Sequence, residues 1–266
     1  MNKRGQGKRL VVKVGTSTLT HANGQSDLRA FGRLARVLTD LRHMGVEVIL
    51  VSSGAIAVGA HKLGLGQRPT GLPAKQAAAA VGQCSLLHLY DKAFSDYDQM
   101  IAQILLNAQD IEEEEKKENL TRTFEALLEM GVLPVVNEND SVSYTEIVSD
   151  ERLFGDNDML SAVVAVLCRA DYLVLLSDID GLYDHDPRLY PDAQRIERVE
   201  HIDAQTYALA GGAGSRRGTG GMRTKLQAAA LATAQGIDTV VANGKHPQAL
   251  YAILQGKPAG TLFVGV

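Results

Sequence analysis

Leu10-Val11-Val12-Lys13-Val14-Gly15-Thr16-Ser17 is the stretch that sets the class of this chain. Four β-favouring apolar residues flank one lysine, and the run breaks at a glycine and two hydroxyl residues, as a short strand does when it ends in a turn. The same grammar recurs downstream. Val46-Glu47-Val48-Ile49-Leu50-Val51 runs into Ser52-Ser53-Gly54-Ala55, and Val132-Leu133-Pro134-Val135-Val136 into Asn137-Glu138-Asn139-Asp140. Tyr172-Leu173-Val174-Leu175-Leu176 closes on Ser177-Asp178, and residues 100–105 and 238–242 read as further strands. Helical periods lie between them. Residues 27–44 place Leu28, Phe31, Leu34, Ala35, Leu38 and Leu41 on one face and stop at Gly45; residues 75–94 and 156–168 give two more helices. Strands alternating with helices predict right-handed crossovers and a mostly parallel sheet buried on both faces. The expected architecture is an open three-layer α/β/α sandwich, with residues 1–8 as a tail and residues 9–266 as one domain without tandem repeats.

Bulk properties narrow the function classes. With 45% apolar and 22% charged residues the composition is that of an ordinary globular protein. A formal charge of −4 offers no electrostatic attraction to nucleic acid or to an anionic membrane. No apolar run approaches the roughly 20 residues of a membrane span, and the basic residues near Lys3 and Arg4 lead into a strand rather than a signal-peptide core. A cytoplasmic protein is expected. Cys84 and Cys168 sit in apolar helical patterns and read as buried free thiols. The seven histidines show no metal-ligand spacing, and the charge run Glu112-Glu113-Glu114-Glu115-Lys116-Lys117-Glu118 reads as a solvated helix face.

The chemistry collects elsewhere. Gly218-Thr219-Gly220-Gly221-Met222-Arg223-Thr224-Lys225 precedes a strong helix former, Leu226-Gln227-Ala228-Ala229-Ala230-Leu231-Ala232. Glycines let a backbone approach an anion, and a helix N-terminus offers unpaired N–H donors and positive potential, so the run suits a phosphate. It lacks Walker A spacing, and a plain glycine-rich turn before a helix would look the same. The other polar clusters fall at strand ends, where open α/β sheets bind ligands, although each is also an ordinary cap or turn sequence. Lys13 stands apart, because a lysine inside an apolar strand must find a counter-charge or reach solvent from an edge strand. Two lysines and an anion cradle, with no nucleophile–histidine pair, fit phosphoryl transfer, where a protein chiefly positions reactants and neutralises charge. Asp158, between the lysines, is the candidate to hold both ammonium groups.

Taken in order, Val12-Lys13-Val14-Gly15-Thr16-Ser17, Ser52-Ser53-Gly54-Ala55-Ile56-Ala57-Val58-Gly59, Val136-Asn137-Glu138-Asn139-Asp140, Gly155-Asp156-Asn157-Asp158 and Gly218 to Lys225 form an ordered set. Lys75-Gln76, Ala80-Val81-Gly82-Gln83 and Ser177-Asp178-Ile179-Asp180-Gly181-Leu182-Tyr183 add to it. The set resembles the glutamate 5-kinases of the amino acid kinase superfamily from about residue 9 to 263. The resemblance implies phosphorylation of the γ-carboxylate of L-glutamate by ATP with Mg2+, the first step of proline synthesis. It implies catalytic roles for Lys13, Lys225 and Asp158, and glutamate binding by Ser53, Asp140 and Asn157. It also implies nucleotide contacts from Lys13, Ser177, Asp178, Thr219, Gly220, Gly221, Met222, Arg223, Thr224 and Lys225, with no protein ligand named for the metal. Proline as feedback inhibitor, a homo-oligomer (dimer or tetramer) and hand-off of the product to glutamate-5-semialdehyde dehydrogenase are further implications. Two departures stand out. The C-terminal PUA domain of many members is not in this sequence, and the loop Val148-Ser149-Asp150-Glu151-Arg152-Leu153-Phe154 is long, which suggests altered proline sensitivity. Another kinase of the superfamily and a non-catalytic binding module on the same fold are the alternative readings.

Overall fold

A computed structural model describes residues 7–21, 23–67, 69–142, 157–210 and 221–266. In chain order, β1 (Arg9–Val14) leads through one turn of helix, α1 (Thr16–Leu19), to α2 (Leu28–His43). Next come β2 (Glu47–Val51), α3 (Ala55–Lys62), α4 (Leu72–Ser95), β3 (Ile101–Leu106), α5 (Gln109–Glu112), α6 (Glu114–Glu129) and β4 (Leu133–Glu138). The second half holds α7 (Asn157–Leu167), β5 (Tyr172–Ser177), β6 (Arg198–Val199), α8 (Ala204–Leu209), α9 (Met222–Thr233), β7 (Asp238–Asn243), α10 (Ala249–Leu254) and β8 (Thr261–Phe263).

The strands form one sheet in the order β3-β4-β2-β1-β5-β7-β8-β6. The first six are parallel; β8 runs antiparallel to β7, and β6 pairs with β8. Successive side chains on a strand point to opposite faces, and both faces here are covered. Leu10, Val12 and Val14 pack with α2, α4 and α10, whereas Val11 packs with α6, α7 and α9. The three expected layers are present.

Local sequence explains the boundaries. Asp27 caps α2 by accepting a hydrogen bond from Ala30 N at 3.0 Å. Asp203 and Thr206 form a reciprocal capping box on α8. At the N-terminal end of the sheet, buried Arg9 bonds Glu47 and Glu125 at 2.7 Å each, joining β1 to β2 and α6. The polar strand ends of β1, β2, β4 and β5 lie at the opposite pole.

Helices α3 and α4 cross at unusually close range through two glycines. A Cβ on Gly59 would overlap the Ala78 carbonyl, and one on Gly82 would overlap that of Ala55. Gly82→Ala is therefore expected to force the helices apart and cost at least about 1–3 kcal/mol. Thermal unfolding should show this as a Tm several degrees lower; an unchanged Tm would mean that the crossing has slack.

One sequence expectation needs correction, and another holds with a break in the helix. Cys84 is exposed on α4, and only Cys168 is buried; the helix is so rich in alanine that its apolar pattern does not distinguish the faces. The charge run 112–118 is broken at Glu113, which separates α5 from α6, and its ion pairs, such as Lys116–Glu113 at 2.9 Å, are solvated.

Candidate active site

The chain leaves β1 for β2 on one side and later returns to place β5 on the other, so the sheet has a topological switch point at β1. The crevice beyond the carboxyl ends of such strands is where open α/β sheets bind ligands. Lys13 is the penultimate residue of β1, paired with Val51 of β2 and Leu175 of β5. This central placement excludes the edge-strand reading. Lys13 shares the parity of Val11, so its side chain emerges on the face covered by α7 and α9. It is 6% exposed.

Asp158, the second residue of α7, receives that charge. Its carboxylate is fully buried, with Oδ1 2.6 Å from Lys13 Nζ and Oδ2 3.0 Å from Lys225 Nζ. Thr224 Oγ1 shares its one hydrogen between the same Oδ2 at 3.0 Å and the Gly221 carbonyl at 2.9 Å, and Ser161 Oγ donates to the Asp158 backbone carbonyl at 2.6 Å. Burial alone pushes the carboxyl pKa up; the ammonium groups of Lys13 and Lys225 outweigh it and hold Asp158 well below the usual carboxylate range. Together these three groups carry one net positive charge in a buried setting. Thus α7 and α9, which pack side by side, each deliver one member of a cluster whose third comes from the central strand.

Lys225 belongs to the first turn of α9, with Met222, Arg223 and Thr224 before it and Gly221 as its N-cap. Its N-cap Gly221 has no side chain to cap it, and the first N–H groups of a helix are the donors that suit an anion. Thr219 and Gly220 of the same run lie outside the described residues. Across the crevice, Ser177 ends β5 and donates to Asp178 Oδ1 at 3.1 Å; Ser177 is buried and Asp178 exposed.

On the β2 and β4 side, Ser53 follows β2 and donates to the Val14 carbonyl at 3.1 Å. Gly54, at φ +98°, takes the left-handed turn that starts α3. Asn157, the first residue of α7, donates through Nδ2 to Ser52 O at 2.5 Å and to Asn137 Oδ1 at 2.8 Å. Both amide hydrogens of Asn157 are thus directed at protein acceptors. Asp140 stands half-buried in the turn after β4. Asp156 and the loop 148–154 fall outside the described residues.

Three supporting residues were not singled out from the sequence. Asn137, at 3% exposure, keeps a buried Nδ2 with no partner among the described residues; an asparagine near the end of a buried apolar strand was the available signal. Tyr90 OH lies 2.9 Å from Ser52 Oγ, and Gln83 Nε2 donates to Glu138 O at 3.1 Å. Both reach down from α4 to fix the strand ends, a long-range contact that no local pattern encodes. Among the described residues no group of three His, Cys, Asp or Glu is placed to hold a metal ion, and no helix is long and apolar enough to cross a membrane.

Comparison with known proteins agrees with this geometry. Residues 8–243 match the amino acid kinase family. Glutamate 5-kinase of Clostridium perfringens is 52% identical over 97% of this chain and 95% of its own length. Glutamate 5-kinase of Enterococcus faecalis is 49% identical over 99% and 97%. Among solved structures, carbamate kinase from Giardia lamblia bound to AMP-PNP superposes with a TM-score of 0.70 at 15% identity, covering 97% of this chain and 99% of that one. UMP kinase from Bacillus anthracis gives 0.65 at 14%, covering 97% and 96%. These two likenesses concern the fold.

Proposed function

We propose, because the chain belongs to the amino acid kinase family, that its crevice binds ATP and L-glutamate and joins them through the Lys13–Asp158–Lys225 cluster. The chain is an ATP-dependent kinase that converts L-glutamate to L-glutamyl 5-phosphate, the reaction that begins proline synthesis. The buried pairing of two lysines to one aspartate is the observation that carries the proposed residue roles.

The strand order sets the direction of the substrate. Asp140 follows β4 and Lys13 lies on β1, two strand spacings away, roughly 10 Å. An extended glutamate fits that span. Its α-ammonium meets Asp140 and the Asn157 oxygen as charge-assisted hydrogen bonds, Asn137 Nδ2 supplies a donor, and the γ-carboxylate reaches Ser53 and the cluster. At neutral pH a carboxyl group with a pKa of about 4.3 is already ionised, so no general base is required. One carboxylate oxygen forms a bond to the terminal phosphorus as the bond to the bridging oxygen of ADP breaks, and no proton moves. Lys13 and Lys225 neutralise the oxygens of the group in flight, while Asp158 keeps both ammonium groups in place.

On the nucleotide side, Ser177 and Asp178 and the run Thr219 to Lys225 are the proposed contacts, with the first turn of α9 facing phosphate. Asp158 is taken up by two ammonium groups, which favour no dication beside them, so Mg2+ would arrive on the nucleotide, held by its phosphates and by water, and would shield phosphate charge. Inhibition by proline, homo-oligomerisation, hand-off to glutamate-5-semialdehyde dehydrogenase and a cytoplasmic location belong to the same proposal and are supported by family resemblance.

The test is ADP release with Mg-ATP against L-glutamate, N-acetyl-L-glutamate, L-aspartate and UMP, with hydroxylamine present to trap an acyl phosphate. Turnover with glutamate alone, yielding the hydroxamate, is expected. Turnover with another member of the panel and none with glutamate would overturn the reading.

A further inference from the structure

Ser53 carries one hydrogen, and the structure commits it. Ser53 Oγ donates to the Val14 carbonyl at 3.1 Å and stands 3.2 Å from Thr16 Oγ1. A hydroxyl gives one hydrogen and accepts through two lone pairs. With Ser53 donating to Val14, Thr16 is the donor in the second contact. A carboxylate offers only lone pairs, so it cannot engage Ser53 in that arrangement. The Ser53 hydrogen has to leave the Val14 carbonyl when a carboxylate arrives.

We propose that Thr16 is a positioning residue for the γ-carboxylate. Its hydroxyl holds Ser53 Oγ from behind while the Ser53 hydrogen turns from Val14 O to the substrate. The inference rests on Ser53 as a substrate contact. Packing supports it. Ser53 is followed by Gly54 in the left-handed conformation, and a Cβ there would stand 3.1 Å from Thr16 Cγ2 and 3.3 Å from Thr16 Oγ1. The Ser53–Gly54 turn therefore rests on the Thr16 side chain, which spans from the end of β1 to the end of β2. In the chain O–H···O–H···O⁻ each bond polarises the next, so Thr16 strengthens the Ser53 contact without touching the lysine cluster. Ser53 holds the carboxylate before and during transfer alike, so the loss of this contact is a loss of uniform binding and belongs in KM rather than kcat.

The experiment compares Thr16→Val, which keeps the shape and removes the hydroxyl, with Thr16→Ser, which keeps the hydroxyl, each alone and in a Ser53→Ala background. At saturating Mg-ATP, Thr16→Val is expected to raise the glutamate KM about five- to tenfold, the loss of one net hydrogen bond. Its kcat and its KM for ATP should stay near the parent's, and Thr16→Ser should restore the glutamate KM. On Ser53→Ala, adding Thr16→Val should change nothing more, because the two act as one unit. Should Thr16→Val fail to fold, Thr16→Ala run through the same cycle replaces it. An unchanged KM, equal damage from the serine variant, or additive effects with Ser53→Ala would each overturn the inference. A parent protein without glutamate-dependent turnover would instead overturn the underlying assignment, and this inference with it.

Discussion

Asp158→Ala is expected to lose at least about a thousandfold in turnover and, unlike most active-site changes, about 3–5 kcal/mol of stability. The reason is electrostatic. Lys13 and Lys225 are 6% and 5% exposed, and their shared counter-charge is the fully buried carboxylate. Without it, two like charges remain close together in a setting that solvates neither. Asp158→Asn keeps the volume and removes the charge, so it should lose most of the stability that the alanine variant loses; a cavity effect alone would spare it. Acid titration adds an independent reading. The Asp158 pKa is depressed on folding, so its stabilisation is fully present above the unfolded value of about 3.9 and is lost as pH falls through the lower folded value. Urea unfolding at neutral pH and below pH 4 should therefore show a larger acid loss in the parent than in Asp158→Asn. A variant as stable as the parent at neutral pH would mean that the lysines find solvent or another counter-ion.

The fold and the centre of this site were legible because each is written in local pattern. Apolar runs closed by polar or glycine residues locate β1, β2, β4 and β5, and alternating helices imply that the sheet is parallel. Lys13 announced itself as a charge in an apolar run, and the buried partner it required is Asp158. What stayed hidden is either short or remote. β6 has two residues and β8 three, too few for a period, and their pairing depends on β7. α3 follows a glycine turn and contains another glycine, so no helical period marks it, and its place is explained only by Gly59 and Gly82, which let two helices meet. The Tyr90–Ser52 and Gln83–Glu138 contacts join residues 38 and 55 positions apart. Asn137 stands within a motif, but that its Nδ2 has no partner among the described residues, while its Oδ1 accepts from Asn157, is visible only in three dimensions.

Lys225→Ala separates the chemical from the structural work of the cluster. Removing this ammonium leaves Asp158 with Lys13 at 2.6 Å, a balanced buried pair in place of two cations sharing one anion. Folding should therefore suffer far less than in Asp158→Ala, with the lost packing of the lysine stem as the main cost. Catalysis should not be spared. In the proposed roles Lys225 faces charge that moves during transfer, and a preorganised donor of this kind is worth about a hundred- to a thousandfold in kcat. The glutamate KM should move only severalfold, since Ser53, Asp140 and Asn157 are untouched. Lys225→Arg is not a rescue, because a planar guanidinium demands more room than a site 5% exposed provides and cannot reproduce the point charge. Steady-state kinetics beside thermal unfolding decide the matter. A kcat close to the parent's would remove Lys225 from the transfer step, and a Tm as low as that of Asp158→Ala would show that the two lysines, not the lone carboxylate, hold this part of the fold together.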